Sequence, residues 1–90
     1  MEIRLIFDEK SSMYFNGNND YNLMWLIRVK AHIEDMLRFR GYMYLNQIYD
    51  LYGLRWNLEN ENPYLIFNPQ KNIEIDYNKI DSGYEITIKY

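Results

Sequence analysis

The C-terminal run constrains this chain most. Ile73, Ile75 and Tyr77 alternate with Glu74 and Asp76, and Tyr84, Ile86, Ile88 and Tyr90 alternate with Glu85, Thr87 and Lys89. Successive side chains on a strand point to opposite faces, so each run carries one apolar and one polar face. With the turn Asn78–Gly83 between them, the two runs read as an antiparallel hairpin. A lone hairpin is marginal in water, so its apolar face demands a covering layer from elsewhere in the chain.

The middle of the chain supplies that layer. Leu26, Val29, Ile33 and Met36 recur at helical spacing with Trp25 and Leu37 beside them, which makes one apolar stripe. The helix is expected to start at an Asp20 N-cap, with Asn19 as the competing choice, and to run to about Arg40. Gly41 then supplies a left-handed stop, and Arg38 and Arg40 in the last turn complement the helix dipole. Arg28, His32, Asp35 and Arg38 fall on other faces. Glu34 stands four residues before Arg38, and Lys30 four before Glu34, spacings that suit intrahelical ion pairs worth about 0.2–0.5 kcal/mol each. A short second helix follows an extended crossing at Tyr42–Leu45, with Asn46 as N-cap, Gln47–Tyr52 as its body, Gly53 as the left-handed terminator and Leu54 folding back. Isolated helices below about 12–15 residues are marginal, so Ile48, Leu51 and Leu54 must dock on the rest of the molecule.

At the N-terminus Ile3, Leu5 and Phe7 alternate with Glu2, Arg4 and Ile6, a strand pattern. Asp8–Ser12 reads as a turn and Met13–Phe15 as a short returning strand, closed by the breaker Asn16-Gly17-Asn18-Asn19. Asn57–Asn62 reads as a polar loop, Tyr64–Phe67 as a strand entered at Pro63, and Asn68-Pro69 as its end. The fold class is therefore α+β: one domain over residues 1–90, with an antiparallel sheet of about four to five strands on one long and one short helix.

Ninety residues without a cysteine have no disulfide staple, no thiolate metal site and no cysteine nucleophile, so packing alone must hold the fold. The net charge of −3 argues against direct nucleic-acid binding, which draws its affinity from lysine and arginine. That charge is an average over a basic helical part, where Arg28, Lys30, Arg38, Arg40 and Arg55 outnumber Glu34, Asp35 and Asp50, and an acidic C-terminal third. The apolar run Leu23–Ile27 is far below the roughly 20 residues that span a bilayer, and Met1-Glu2-Ile3-Arg4 lacks the order of a signal peptide. No membrane contact and a cytoplasmic, host-cell location are expected.

Chemistry is sparse. Ser11, Ser12 and Ser82 lie in predicted turns, and the sole histidine, His32, sits on a helix face without a nucleophile motif, so no enzymatic activity, catalytic residue, cofactor or metal is expected. Glu74, Asp76 and Glu85 should share the outward face of the hairpin, with Glu59 and Glu61 in the loop before it. Converging carboxylates could hold a hard cation, but no calcium-loop spacing is present, and a charged outer face also discourages edge pairing. Ten tyrosines stand beside four phenylalanines and two tryptophans, more rings than so small a core hides easily. Tyr42 and Tyr44 share one side of the crossing, and Tyr49 and Tyr52 one face of the short helix. Tyrosine is enriched at protein interfaces, so these four are candidate anchors, against the plainer reading that some of them bury their rings.

The segment Arg40-Gly41-Tyr42-Met43-Tyr44-Leu45-Asn46-Gln47-Ile48-Tyr49-Asp50-Leu51-Tyr52-Gly53-Leu54 resembles small accessory proteins of tailed phages and prophages of Gram-positive bacteria. In those, a helix precedes an aromatic-x-x-Leu-Asn-x-x-Tyr-acidic-x-x-Gly segment, and a tryptophan and a closing hairpin follow, comparable here to Trp56 and Gly83-Tyr84-Glu85-Ile86. The likeness covers about Ala31 to Tyr90, with a shorter approach to the tryptophan, and carries no catalytic residues. It implies a mobile-element protein. Together with the acidic third and the tyrosines, it leads to the expectation of a non-enzymatic inhibitor that binds a host protein or nucleoprotein complex, most sharply an anti-CRISPR or other anti-defence inhibitor acting on a nuclease. The partner-binding residues would be Tyr42, Tyr44, Tyr49, Tyr52, Glu59, Glu61, Glu74, Asp76 and Glu85. The alternatives are a virion assembly component that self-associates, for instance as a homodimer, and a weak nucleic-acid-binding regulator using Arg28, Arg38, Arg40 and Arg55.

Overall fold

The computed structural model describes residues 2–54, 65–68 and 73–90. In chain order these form β1 (Glu2–Asp8), α1 (Asn19–Arg40), β2 (Met43–Tyr44), α2 (Leu45–Tyr52), β3 (Ile66–Phe67), β4 (Glu74–Ile80) and β5 (Gly83–Lys89). The α+β class is as expected. The strands, however, divide into two sheets, an antiparallel three-stranded one in the order β1-β5-β4 and a two-stranded one of β2 and β3.

The expected hairpin is β4–β5, longer than its alternation suggested. Its register runs from Glu74 opposite Lys89 to Ile80 opposite Gly83, which shortens the turn to Asp81-Ser82. β5 is central because β1 pairs along its other side, from Glu2 opposite Lys89 to Asp8 opposite Gly83. This overturns the N-terminal hairpin. Met13–Phe15 is not a returning strand, since β1 finds a full-length partner in β5 and the intervening loop satisfies its polar groups elsewhere. Asp8 Oδ1 accepts from the amides of Lys10 and Ser11 at 3.0 and 2.8 Å. Ser12 Oγ donates to the Tyr52 carbonyl at 2.6 Å, and the Met13 amide donates to the Gly53 carbonyl at 3.2 Å, so the loop closes over the C-terminus of α2.

Register decides the faces. Ile3, Ile88 and Ile75 form one inward row and Leu5, Ile86 and Tyr77 the next. α1 lies across this layer, burying Leu26, Val29, Ile33 and Leu37. Met43, Leu45, Ile48, Tyr49, Tyr52 and Phe67 complete the same core. Fully burying each aliphatic or aromatic side chain of this kind contributes about 1.5–3 kcal/mol.

Both helix stops are as read from the sequence: Gly41 has φ +83° and Gly53 φ +70°. The starts differ. Asn18, one residue before the competing choice Asn19, is the N-cap of α1, its Oδ1 accepting from the amides of Asp20 and Tyr21 at 2.9 and 3.2 Å. α2 begins at Leu45 with Tyr44 at the cap position and not Asn46, because Gln47 Oε1 reaches back to the Tyr44 amide at 3.0 Å. Asn22 is fully buried on α1, where it accepts from the Asn16 amide at 2.8 Å and donates to the Asn16 carbonyl at 2.7 Å, tying the preceding loop to the helix. Arg38 pairs with Asp35 at 3.5 Å in place of Glu34.

Candidate functional site

The tyrosines separate by element. Tyr42 is 40% exposed, and its ring carries the Arg40 guanidinium at 4.7 Å on one side and meets Tyr44 edge-on at 5.7 Å. Tyr44 is half-buried, because β2 turns its neighbour Met43 into the core. Tyr49 and Tyr52 correct the sequence reading: they are 4% and 0% exposed and are not surface anchors. α2 is amphipathic, and its tyrosines fall on the same inward side as Leu45 and Ile48.

The interior hydroxyls form a relay. Tyr77 Oη donates to the Leu26 carbonyl of α1 at 2.6 Å, and since a phenol has one proton, the 2.8 Å contact between Tyr52 and Tyr77 is a bond donated by Tyr52. β4, α2 and α1 are thus pinned at one point. Burial pushes the Tyr77 phenol up to about 12, with the Glu34 charge adding to the rise and the bond from Tyr52 opposing it. Burial raises Tyr52 further, helped by Tyr77 and Glu34. Both therefore stay neutral at ordinary pH and serve structure.

The acidic face is a property of the whole sheet. Glu74, Asp76 and Glu85 lie on its outward side, and β1 adds Glu2 and Arg4. One outward row reads Glu2, Lys89, Glu74, the next Arg4, Thr87, Asp76, and the third Ile6, Glu85, Asn78. Directly opposed positions have Cβ atoms about 4.5–5.5 Å apart, so Lys89 is flanked by two carboxylates while Glu85 has no cation in its row. Arg4 is taken by Glu2 at 3.0 Å. Carboxylates outnumber cations here, which gives the face a negative potential. Glu59 and Glu61, like Arg55 and Trp56, lie outside the described residues. At the sheet's corner, slight burial works to raise the Asp8 carboxyl, but hydrogen bonds from Ser11, Ser82 and Lys10 hold it below its ordinary value.

Two features escaped the sequence reading. β1 widens the outward face with the paired Glu2 and Arg4 and with Ile6, which only the β1–β5 register reveals. α1 also exposes Tyr21, Leu23, Met24 and Ile27, with Met24 and Ile27 56% and 54% exposed. The run Leu23–Ile27 contained that signal, since a helix apolar on both sides of its buried stripe has more hydrophobic surface than one core can use.

His32 is exposed on α1, and among the described residues no three His, Asp or Glu side chains gather as a metal site. Two depressions among the described residues are small, one of about 100 Å³ lined by Tyr21, Met24, Trp25 and Arg28 and one of about 150 Å³ lined by Glu9–Met13 and Gly53. Pockets that enclose small molecules usually measure about 300–1,000 Å³. No described helix is long and apolar enough to cross a membrane. Comparison with protein-family models, curated proteins and solved structures returns no match.

Proposed function

We propose that this chain is a non-enzymatic binding protein whose acidic sheet face docks on a basic surface of a host macromolecular machine and competes with nucleic acid for it. The sharpest form of the reading is a phage or mobile-element inhibitor of a defence nuclease, of the anti-CRISPR kind. One observation carries it: the register of β1, β5 and β4 gathers Glu2, Glu74, Asp76 and Glu85 on a single outward face with few compensating cations. A rigid negative surface steers association with a positive channel and discriminates against other partners through charge. Tyr42, exposed and braced by Arg40, is a candidate aromatic contact elsewhere on the surface.

The test is capture of a host nucleoprotein complex by the tagged protein, repeated with a Glu74→Gln, Asp76→Asn and Glu85→Gln triple variant. The reading expects near-stoichiometric recovery of a nucleic-acid-handling complex, competition by single-stranded DNA, and at least tenfold weaker binding by the variant, or about 1.4 kcal/mol. Unchanged affinity in the variant rejects the acidic-face mechanism, and recovery of no such complex rejects the function.

A further inference from the structure

The outward side of α1 is patterned like an interface. Asp20, Met24, Ile27, Ala31, Glu34 and Arg38 follow one another at alternating spacings of four and three, forming a straight stripe on the side opposite Leu26, Val29, Ile33 and Leu37. A helix turned to water on that side is normally polar there. Here its centre is apolar, with Leu23, Met24 and Ile27 exposed, while an acid marks its N-terminal end and a base its C-terminal end.

We propose that two copies of this chain pair through the outward stripes of α1, side by side and antiparallel. The charge order selects this occupant. A two-fold axis level with Val29 sets Asp20 of each copy against Arg38 of the other, Ile27 against Ala31 and Met24 against the stem of Glu34. A parallel pair would instead bring Asp20 onto Asp20 and Arg38 onto Arg38, like charges in contact, and would align the two helix dipoles unfavourably. Asp20 and Arg38 are 18 positions apart, about 27 Å at 1.5 Å per residue, so two ion pairs bracket the apolar centre. Among the described residues Arg38 pairs with Asp35 at 3.5 Å, a surface contact worth about 0–1 kcal/mol that it can exchange. A membrane surface fits worse, because Asp20, Glu34 and Asp35 border the stripe and repel anionic lipid headgroups. The stripe lies on the helix and not on the sheet's acidic face, so pairing leaves that face open.

Sedimentation analysis across micromolar to millimolar protein tests the pairing. The mass is expected to rise with concentration towards twice 11.1 kDa, with Ile27→Asp holding the protein monomeric and its circular dichroism unchanged. Asp20→Lys should weaken dimerisation at least fivefold, and adding Arg38→Glu should restore it. Because the natural chain has no cysteine, orientation can be read by oxidation. A mixture of Met24→Cys and Glu34→Cys proteins should form mixed disulfides in preference to either homodimer. A monomer at all concentrations, a dimer that survives Ile27→Asp, absence of rescue by the charge swap, or preferential Met24→Cys homodimers would each overturn the proposal.

Discussion

Removing the hydroxyl of Tyr77 should damage this fold more than removing that of Tyr52, although Tyr52 is the more deeply buried. Tyr77 sits in the middle of the relay, donating to Leu26 and accepting from Tyr52. Tyr77→Phe deletes the bond to Leu26, worth about 1 kcal/mol, and strands the Tyr52 hydroxyl in the interior, where losing its partner costs about 1–3 kcal/mol. The Leu26 carbonyl keeps its helical partner, so it adds little. The expected loss is about 2–4 kcal/mol. Tyr52→Phe deletes one bond and strands no donor, because Tyr77 still donates to Leu26, so its loss should be about 1 kcal/mol. The double variant has no stranded hydroxyl and should be no less stable than Tyr77→Phe alone, a non-additivity of at least about 1 kcal/mol expected for coupled neighbours. Urea unfolding followed by circular dichroism measures all three. At about 4–8 °C per kcal/mol for a domain of this size, Tyr77→Phe should lower Tm by roughly 8–30 °C. Equal losses in the two single variants, or strict additivity in the double, would refute the direction of the relay.

The same phenols make stability fall at alkaline pH. Their folded values lie above the ordinary 10.0, at about 12 for Tyr77, so the native state favours the neutral form; their contribution is complete below pH 10 and is lost as pH rises towards 12. Unfolding midpoints between pH 9 and 12 should show that decline in the native protein and a shallower one in Tyr77→Phe. Glycine replacement separates conformation from contact. Gly41→Ala meets no atom within 4 Å and should cost only the left-handed φ, about 1–2 kcal/mol, whereas a Cβ at Gly83 would collide with the Phe7 carbonyl oxygen and should break the β1–β5 pairing. Thermal melts and amide exchange in β1 would show it, and equal effects at the two positions would contradict the close approach.

Much of this architecture was legible locally. Periodicity alone located α1 and the β4–β5 hairpin, because the face a side chain occupies follows from its spacing along the chain. Gly41 and Gly53 marked helix ends because a left-handed residue there favours glycine. The caps were less legible. Asn18, Asn19 and Asp20 all have a capping side chain, and the one used depends on the loop, where Asn16 and Asn22 bond to each other's level of the chain. The tyrosines of α2 are only candidate anchors from sequence, because composition counts rings without saying where hydroxyls find partners. Once Tyr77 and Leu26 offer a polar chain inside the core, burial of Tyr52 becomes favourable.

What the sequence determined by itself, then, was the long helix, the short helix and the C-terminal hairpin, where both helices stop, and that the hairpin has an acidic side. Tertiary structure decided the rest: that β1 joins β5 and widens the sheet's outward face, that Tyr49 and Tyr52 belong to the core, and that α1 keeps Met24 and Ile27 at its surface. The division has a physical cause. Local geometry depends on neighbours within a few residues, whereas strand partners, buried hydroxyls and uncovered apolar stripes depend on which distant segments compete for the same core.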